Sequence, residues 1–527
     1  MKTLDKKKED KISFKSTGPV SRALLDELRL AHPQRPPVLI LAAVDSGGGA
    51  GITADVISVH DNGGWPLPCT TALTAQSLHR VAGVEDVPAD MFETTLKLAV
   101  SDWPAIRAVK VGFVSSRDIL CKILDCLEGP LEHAPVVWDP VLTATAGKLG
   151  SADLKAQLKR ILAVTDVFTP NISEAMELAG WDEARYDIEG PAELGRVFLE
   201  QGAKAVIIKG GHNIKASRAV DTFVSPALSF EMELPKLRGD GAHGGGCAFS
   251  SAIAALLARG YAPQDAAVLA KAYVFEGISA PDLMRQGEDR PPVGHHGMPH
   301  SLAYAPRVRE FGFPDFGGPF RRCGLRLGLY PVVDSPEWVA RLTAAGVRTI
   351  QLRIKDPDDP KLFEKICKAV SFCRAARARL FVDDWYELAV KAGAYGVHLG
   401  MEDLRTADLE YIRRSGLRLG VSTHGPYELM KALQLNPSYI ALGHIFPTNT
   451  KAMPSRPQGA AHLREQVALV GGQVPLVAIG GISEDNCDGV IESGVGSVAL
   501  VSALTKAADP EAAAARWLRR IGSGGDE

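Results

Sequence analysis

The first half of the chain contains short runs made mostly of apolar residues. These runs cover residues 38–43, 108–113, 135–138, 167–168 and 205–208. A short apolar run is typical of a strand buried on both faces of a parallel sheet. Helical patterns separate the runs, as at residues 89–100 and 173–179, and a long helical stretch at 250–277 ends the series. The alternation predicts an α/β domain with a central, mostly parallel sheet.

A second series of strand candidates follows a segment rich in Pro, Gly and His, residues 285–318, which is typical of a boundary between domains. The strand candidates cover residues 325–333, 349–353, 380–383, 396–399, 418–422, 439–443, 474–479 and 497–501. Eight strand–helix units in roughly 200 residues predict a TIM (β/α)8 barrel.

These patterns divide the chain into four parts. We expect a polar, Lys-rich extension at residues 1–35 and the first α/β domain at residues 36–303. A linker would cover residues 304–322, and the barrel residues 323–527. Catalytic groups of a TIM barrel lie at the carboxyl ends of its strands, so we expect the functional residues of residues 323–527 at those positions.

Composition narrows the class of protein. The 527 residues are 46% hydrophobic and 23% charged, as in soluble globular proteins. The net charge of -3 argues against a nucleic-acid-binding protein. The eight cysteines show no paired spacing and indicate reduced thiols. No apolar run approaches the roughly 18 residues of a membrane span, and the basic N-terminus lacks a signal-peptide core, so we expect a cytoplasmic protein without membrane contact.

Charged side chains cluster at the strand ends of the predicted barrel. Strand alternation places Gln351, Arg353 and Lys355 on one side, where the two cations can neutralise phosphate oxygens. Asp383 and Asp384 end the next strand, and carboxylates on adjacent strand ends can share one Mg²⁺. Taken alone, an Asp-Asp pair is more often a helix cap or turn.

Later strand ends add hydroxyl, glycine and lysine residues. Residues 443–451 form a hydroxyl-bearing loop that ends in Lys451, which alone would be an ordinary surface charge. Gly480 and Gly481, with small residues after the eighth strand, allow backbone N–H groups to approach a phosphate. The ordered combination favours a site that handles a diphosphate.

Residues 326–505 resemble the thiamine phosphate synthases in the segments GLYPVVDS, QLRIKD, YGVHLGMEDL, LGVSTH, ALGHIFPTNTKAMPSRPQG, VAIGGIS and GVGSVALVSAL. The resemblance implies Mg²⁺ bound by Asp384 and Asp403, and a pyrimidine amine bound by Gln351. The implied diphosphate contacts are Arg353, Lys355, Asp383, Ser422 and Lys451, of which the three cations would be catalytic. The implied residues around the thiazole phosphate and pyrimidine are Thr448, Thr450, Gly481, Val501 and Ser502. Asp383 departs from the family, in which Asn is frequent.

Two glycine-rich loops mark the first domain. One covers residues 45–52 after the first strand, and the other covers residues 239–247 and runs into a helix. Glycines at a helix N-terminus offer N–H groups to a phosphate. Cys247 at that helix start is predicted to have a lowered pKa, although a small buried residue in a helix cap is an equally simple interpretation. Asn171 and Glu174 are candidates for a Mg²⁺–water network, and Lys209 for a nucleotide phosphate.

Residues 36–300 resemble the hydroxymethylpyrimidine (phosphate) kinases of the ribokinase-like fold in the segments SGGGAGITAD, TALTAQS, VKVGF, DPV, TPNISEA, KGGH and HGGGC. The resemblance implies ATP as co-substrate and a pyrimidine held by Gln76. The residues implied near the ring are Ala50, Thr74, Phe113 and Val141. Those implied at ATP are Asn171, Glu174, Lys209, Gly244 and Gly246, with Cys247 and Lys209 catalytic.

Two departures leave an alternative open for the first domain. The loop at residues 243–248 reads HGGGCA where the family has H-G-T-G-C-[TS], and residues 43–46 read AVDS where Gly-Thr-Asp-Pro is typical. The main prediction is an active kinase that supplies a pyrimidine diphosphate to the synthase. The alternatives are a non-catalytic or regulatory pyrimidine-binding domain, and a barrel with another phosphate reaction. Expected partners are hydroxymethylpyrimidine and its phosphates, thiazole phosphate and ATP, with a homo-oligomer also open.

Overall fold

A computed structural model describes residues 34–78, 80–103, 105–144, 147–148, 154–211, 217–237, 242–282, 291–315, 318–448, 455–522 and 524. Residues 1–33 of the predicted extension lie outside these ranges. Within them, none of the helices combines the length and the apolar character that crossing a membrane requires. The cytoplasmic location stays a prediction.

The N-terminal domain is built on a ten-stranded sheet with the order β12-β11-β10-β9-β8-β5-β4-β1-β2-β3. Its strands from β9 through β2 in this order are parallel, and the others join antiparallel. The strands, with the separate pair β6 and β7, are β1 (Pro37–Asp45), β2 (Trp65–Gln76), β3 (Val81–Asp86), β4 (Ala108–Val111), β5 (Val136–Trp138), β6 (Thr143–Ala144), β7 (Gly147–Lys148), β8 (Val167–Phe168), β9 (Ala205–Ile208), β10 (Arg218–Val224), β11 (Ser229–Pro235) and β12 (Arg307–Glu310).

Helices cover both faces of this sheet. They are α1 (Gly51–Asp61), α2 (Ala89–Asp102), α3 (Arg117–Glu128), α4 (Leu154–Ala163), α5 (Ile172–Ala179), α6 (Glu183–Glu200), α7 (Gly245–Ala258) and α8 (Pro263–Ser279). In β1, Val38 and Ile40 pack into one apolar core and Leu39 and Leu41 into another. Because successive side chains of a strand point to opposite faces, a strand covered on both sides is apolar throughout. The predicted mostly parallel α/β sheet is confirmed.

The predicted long helical stretch at residues 250–277 is wrong as a single element. The structure has two helices there, α7 and α8, separated by residues 259–262. Gly260 has φ +91°, a left-handed conformation that favours glycine and ends a helix. Pro263 then occupies the first turn of α8, where its missing N–H costs nothing.

The C-terminal domain is a closed barrel of eight parallel strands in sequence order, β13 to β20, which confirms the predicted TIM barrel. The strands are β13 (Gly328–Val333), β14 (Thr349–Leu352), β15 (Arg379–Asp383), β16 (Gly396–Leu399), β17 (Arg418–Thr423), β18 (Tyr439–Leu442), β19 (Leu476–Ile479) and β20 (Ser497–Leu500). The helices are α9 (Pro336–Ala344), α10 (Leu362–Ala375), α11 (Tyr386–Ala392), α12 (Leu409–Arg414), α13 (Pro426–Gln434), α14 (Gly459–Val470), α15 (Asp488–Glu492), α16 (Ser502–Thr505) and α17 (Pro510–Ile521).

The segment predicted as a linker contains a strand of the N-terminal sheet. Strand β12 pairs antiparallel with β11, so this part of residues 304–322 adds an edge strand. Its last residue, Glu310, is buried against the barrel and accepts hydrogen bonds from Arg405, Tyr427 and Lys431. The two domains therefore meet along helix α13, and the exact domain limits stay a prediction.

Candidate active sites

The two glycine-rich loops of the N-terminal domain lie against each other. Gly244 has φ +84°, and a Cβ atom there would stand 1.8 Å from the carbonyl oxygen of Gly49. A Cβ atom at Gly49 would stand 2.6 Å from the His243 ring. Only glycine allows this approach, because any side chain would force the loops apart. The N-terminus of α7 therefore faces the loop that follows β1.

A buried Asp–His pair joins these loops. The Nε2 atom of His243 lies 2.8 Å from Oδ2 of Asp45, and the amide nitrogen of Gln76 lies 3.3 Å from the same ring nitrogen. The backbone N–H groups of Gly47 and Ala50 donate to the Asp45 carboxylate at 2.8 and 2.9 Å. Burial alone raises the pKa of Asp45, but the hydrogen bonds from His243 and the two amides outweigh burial and hold the pKa below its ordinary value.

The residues predicted around a pyrimidine ring come together beside this pair. Phe113 belongs to a small apolar cluster with Ala43 and Ala72, against which Val141 packs. The Thr74 hydroxyl donates to the Val44 carbonyl at 2.9 Å and lies 3.4 Å from the amide oxygen of Gln76. Apolar side chains with a few polar groups beside them suit contact with a small heteroaromatic ligand. Their contact with a substrate stays a prediction.

The predicted thiolate character of Cys247 is wrong. Cys247 lies in the first turn of α7, and its thiol is buried although the residue as a whole is partly exposed. Burial raises the pKa of the thiol to about 12, while the positive charge of Lys110 acts in the opposite direction. The desolvation of a charged sulfur therefore exceeds the effects of Lys110 and of the Gly51 backbone hydrogen bond, which both lower the pKa, and the thiol is expected to be protonated at neutral pH.

The side chain of Lys209, which directly follows β9, lies at the N-terminal end of α7. It forms an ion pair with Asp139, a residue that the sequence interpretation did not select. Its Nζ atom donates to Oδ1 of Asp139 at 2.7 Å, and a Cβ atom at Gly246 would stand 3.3 Å from the same Nζ. Burial lowers the pKa of Lys209, but Asp139 and Glu174 outweigh burial and raise it overall. A permanent positive charge thus lies next to the glycines predicted to bind ATP.

Asn171 and Glu174 form a capping box at the start of α5. The side-chain oxygen of Asn171 accepts from the Glu174 backbone N–H at 2.9 Å, and the Glu174 carboxylate accepts from the Asn171 N–H at 2.8 Å. Burial, reinforced by Asp139 and opposed by Lys209, raises the pKa of Glu174 to about 7. In this structure both side chains cap a helix. The predicted role of Asn171 and Glu174 in a Mg²⁺–water network stays a prediction.

The barrel gathers its predicted cations and carboxylates at the ends of β14 and β15. The Nε atom of Arg353 lies 3.1 Å from Oδ2 of Asp383, and Nζ of Lys355 lies 3.2 Å from the same oxygen. Lys355 also forms an ion pair with Asp384. Burial, together with the charge of Asp384, raises the pKa of Asp383 to about 6 against the effect of the two cations. These four side chains form one charge cluster at the barrel mouth.

Asp384 and Asp403 follow the neighbouring strands β15 and β16. The Asp384 backbone N–H donates to the carbonyl of His398 at 3.0 Å, which ties the end of β15 to β16. The Asp403 carboxylate accepts from the Gly400 N–H at 3.0 Å. In the described part of the chain no three or more His, Cys, Asp or Glu side chains form a metal cluster. Two carboxylates nevertheless fit Mg²⁺, which takes few protein ligands and completes its shell with phosphate oxygens and water.

Ser422 and Gln351 lie inside the same mouth. Gln351 is buried at the end of β14, and the hydroxyl of Ser422 lies 2.8 Å from Nε2 of His398. His398 is a functional candidate that the sequence interpretation did not select. The strand pattern contains a signal for it, because His398 pairs with Gly420 of β17, and Ser422 lies two positions further along β17, on the same side of the strand.

The loops predicted near the thiazole phosphate pack together. A Cβ atom at Gly481, which has φ +65°, would stand 2.5 Å from the carbonyl oxygen of Pro447. Thr448 follows Pro447 directly, whereas Val501 and Ser502 lie where β20 passes into α16. Thr450 and Lys451 lie outside the described residues.

The chain has two α/β domains, and in each of them cationic side chains and closely packed glycine loops lie at strand ends. These features are typical of an enzyme that binds phosphate groups. The family model for phosphomethylpyrimidine kinase matches residues 45–293, and the model for thiamine monophosphate synthase matches residues 329–504. The chain belongs to the thiamine-phosphate synthase family and carries a phosphomethylpyrimidine kinase domain in its N-terminal half.

The relatives that match the barrel are about as long as the barrel alone. Thiamine-phosphate synthase from Pectobacterium atrosepticum is 56% identical over 203 residues, which are 38% of this chain and 95% of that protein. The enzyme of the same name from Serratia proteamaculans is 56% identical over 207 residues, or 39% of this chain and 97% of that protein. These identities place the barrel firmly within the family.

Solved structures resemble each half separately. Phosphomethylpyrimidine kinase from Clostridium difficile is 33% identical with a TM-score of 0.40, covering 46% of this chain and 100% of that one. Thiamine phosphate pyrophosphorylase from Pyrococcus furiosus is 31% identical with a TM-score of 0.34, covering 37% of this chain and 95% of that one.

Proposed function

We propose that the two domains perform consecutive reactions of thiamine biosynthesis. The N-terminal domain transfers phosphoryl groups from ATP to hydroxymethylpyrimidine and to its phosphate. The barrel joins the resulting diphosphate to thiazole phosphate, which gives thiamine phosphate and pyrophosphate. The observation that carries the proposal is the cluster of Arg353, Lys355, Asp383 and Asp384 at the mouth of a barrel of this family.

In the barrel reaction the bond between the pyrimidine methylene and the diphosphate breaks, and the thiazole nitrogen forms the new bond to that carbon. Arg353, Lys355 and Lys451 would stabilise the negative charge that develops on the leaving diphosphate. Gln351 would orient the pyrimidine through its amine, so that the thiazole lies in line for attack. Asp384 and Asp403 would hold Mg²⁺, which supplies further charge neutralisation at the diphosphate when bound.

In the kinase reaction a substrate oxygen attacks the terminal phosphorus of ATP, and ADP leaves. Lys209 and the N–H groups at Gly244 and Gly246 would bind the transferred phosphate, and Gln76 and Phe113 would contact the pyrimidine. Phosphoryl transfer depends mainly on positioning and on charge stabilisation. We therefore assign Cys247, whose thiol is protonated, a contact with the substrate hydroxyl and no role as a preformed anionic base.

Mass spectrometry of the products tests both reactions at once. The full chain is incubated with hydroxymethylpyrimidine, ATP, Mg²⁺ and thiazole phosphate, and thiamine phosphate is the expected product. A parallel reaction receives the pyrimidine diphosphate directly and omits ATP. Product in the second reaction alone would replace the kinase assignment with a non-catalytic, pyrimidine-binding domain. No product in either would overturn the proposal for the barrel.

The metal assignment is tested with Asp384→Ala and Asp403→Ala. Both variants should lose pyrophosphate release, because the remaining carboxylate cannot hold Mg²⁺ alone, and both should keep the circular dichroism spectrum of the unchanged chain. Asp358→Ala is the matched control, since Asp358 is an exposed carboxylate in the loop after β14. Near-normal turnover in Asp384→Ala or Asp403→Ala would contradict the assignment.

A further inference from the structure

A chain of hydrogen bonds runs from the middle of the barrel to Ser422. The hydroxyl groups of Tyr330 and Tyr439 lie 2.7 Å apart, and the Tyr439 hydroxyl lies 2.7 Å from Nδ1 of His398. The other ring nitrogen of His398, Nε2, lies 2.8 Å from the Ser422 hydroxyl. Tyr330, Tyr439 and His398 thus form a continuous series of hydrogen bonds that ends at Ser422.

Packing holds this chain in one geometry. Tyr439 is completely buried and Tyr330 is 2% exposed. The ring of Phe381 meets the Tyr439 ring edge-on, with centroids 5.0 Å apart, and the Tyr439 ring stacks on His398. A Cβ atom at Gly420 would stand 2.2 Å from the Tyr439 ring, so glycine at this position makes room for the tyrosine. Rings confined in this way keep their hydroxyl groups aimed at one partner.

The direction of each hydrogen bond follows from the protons available. Burial raises the pKa of both tyrosines far above the ordinary value, so each hydroxyl keeps one proton to donate. In the described part of the chain, the Tyr330 hydroxyl has one hydrogen-bond partner, the Tyr439 oxygen, so Tyr330 donates to Tyr439. Tyr439 then donates its own proton to Nδ1 of His398, which is therefore the unprotonated ring nitrogen. Nε2 carries the ring proton and donates to the Ser422 oxygen, so the Ser422 hydroxyl can donate its own proton to a diphosphate oxygen.

We propose that Tyr330 and Tyr439 are positioning residues of the synthase site, which hold His398 in the tautomer with its proton on Nε2 and so make Ser422 a hydrogen-bond donor to the diphosphate. The role of Ser422 rests on the proposed function, whereas the tautomer of His398 does not. A reversed tautomer would have Nε2 accept the Ser422 proton and remove the donor from the substrate. The tyrosines therefore act on the diphosphate without touching it.

A double-mutant cycle between Tyr439 and Ser422 tests the coupling. The full chain receives the pyrimidine diphosphate directly, so that the kinase step does not contribute. Tyr439→Phe should lower kcat/KM roughly tenfold, about the effect of one lost hydrogen bond. In a Ser422→Ala background Tyr439→Phe should have no further effect, because the group it acts on is gone. Losses that multiply in the double variant would overturn the proposal.

Two conservative variants of His398 separate positioning from packing. In His398→Gln the side-chain nitrogen takes the place of Nε2 and can still donate to Ser422. In His398→Asn the amide takes the place of Nδ1 and reaches only toward Tyr439. We expect His398→Gln to retain more kcat/KM than His398→Asn. Equal losses, or the reverse order, would contradict the proposal.

The tautomer is measured directly by ¹⁵N NMR of the unchanged full chain, with the His398 signals assigned by their loss in His398→Gln. Nδ1 should show the shift of an unprotonated ring nitrogen and Nε2 that of a protonated one. A protonated Nδ1 would overturn the proposal even if a tyrosine variant does not fold. If the unchanged chain makes no thiamine phosphate, the proposed function fails while the tautomer assignment still stands or falls on this spectrum.

Discussion

Asp265 of the N-terminal domain caps a helix of the barrel through the backbone of Tyr427. Its Oδ1 atom accepts a hydrogen bond from the Tyr427 N–H at 2.8 Å. Tyr427 is the second residue of α13, and a helix begins with N–H groups that have no partner within the helix. A Cβ atom at Gly425 would stand 2.5 Å from the Asp265 carboxylate, so the contact also needs glycine there.

The free energy of unfolding of Asp265→Asn, compared with that of the unchanged chain, should increase as the pH rises. Burial, reinforced by Glu428 and opposed by the Tyr427 N–H and His424, raises the pKa of Asp265 to about 7. The folded state therefore binds the proton more tightly than the unfolded state, and ionisation reduces stability increasingly between about pH 4 and pH 7. Asn keeps the acceptor oxygen without the charge.

Urea unfolding at pH 5 and pH 8 measures this difference. The difference in unfolding free energy between Asp265→Asn and the unchanged chain should be larger at pH 8 than at pH 5. An equal difference at the two pH values would contradict the prediction. Asp265→Ala is the control, since it removes charge and cap together and should be less stable than Asp265→Asn at both pH values.

Glu310 should give the opposite dependence on pH. Burial raises its pKa, but hydrogen bonds from Lys431, Tyr427 and Arg405 outweigh burial and lower the pKa overall. The stabilisation is present above the unfolded-state pKa and is lost as the pH falls through the folded-state value. Glu310→Gln should therefore make stability less sensitive to acid below about pH 4.5. Unfolding curves for both chains from pH 6 to pH 3 check this, and parallel curves would disprove it.

The buried pair of Lys110 and Asp55 is expected to be the most sensitive ion pair in the N-terminal domain. Their side chains are 0% exposed and 2.7 Å apart. Lys110→Met leaves an unpaired carboxylate in the core and should cost about 3–5 kcal/mol of unfolding free energy. The matched control is Lys97→Met in the exposed pair with Glu93, where no measurable change is expected. A similar result for both variants, by denaturant unfolding, would refute the prediction.

Gly244→Ala should abolish the kinase reaction and spare the synthase reaction. The added methyl group would overlap the Gly49 carbonyl in a backbone conformation that alanine avoids, so the two loops would separate. Gly83→Ala is the control, because a Cβ atom there meets nothing within 4 Å. Product assays with and without ATP distinguish the two reactions, and full kinase activity in Gly244→Ala would show that the contact is dispensable.

Local patterns predicted the elements well and the long-range environment poorly. Strand β16 matches the strand predicted at residues 396–399, because Val397 and Leu399 are apolar on the face that the helices cover. Gly260, in contrast, was hidden inside an otherwise helical pattern. The pKa of Cys247 depends on burial by residues distant in sequence, and the capping of α13 by Asp265 depends on how two domains dock. Neither the pKa of Cys247 nor the capping by Asp265 can be predicted from the pattern of one sequence segment.

Helix α7 connects the loop of Gly244 to the contact between the domains. Its first turn lies at that loop, and Arg259, directly after its last turn, forms an ion pair with Glu465 of the barrel. Fourteen residues at 1.5 Å each make a rod about 20 Å long. Residues 46–48, which belong to the loop facing Gly244, are exposed to solvent. For a diphosphate formed beside them we therefore expect a phosphatase added to the reaction to compete with the barrel.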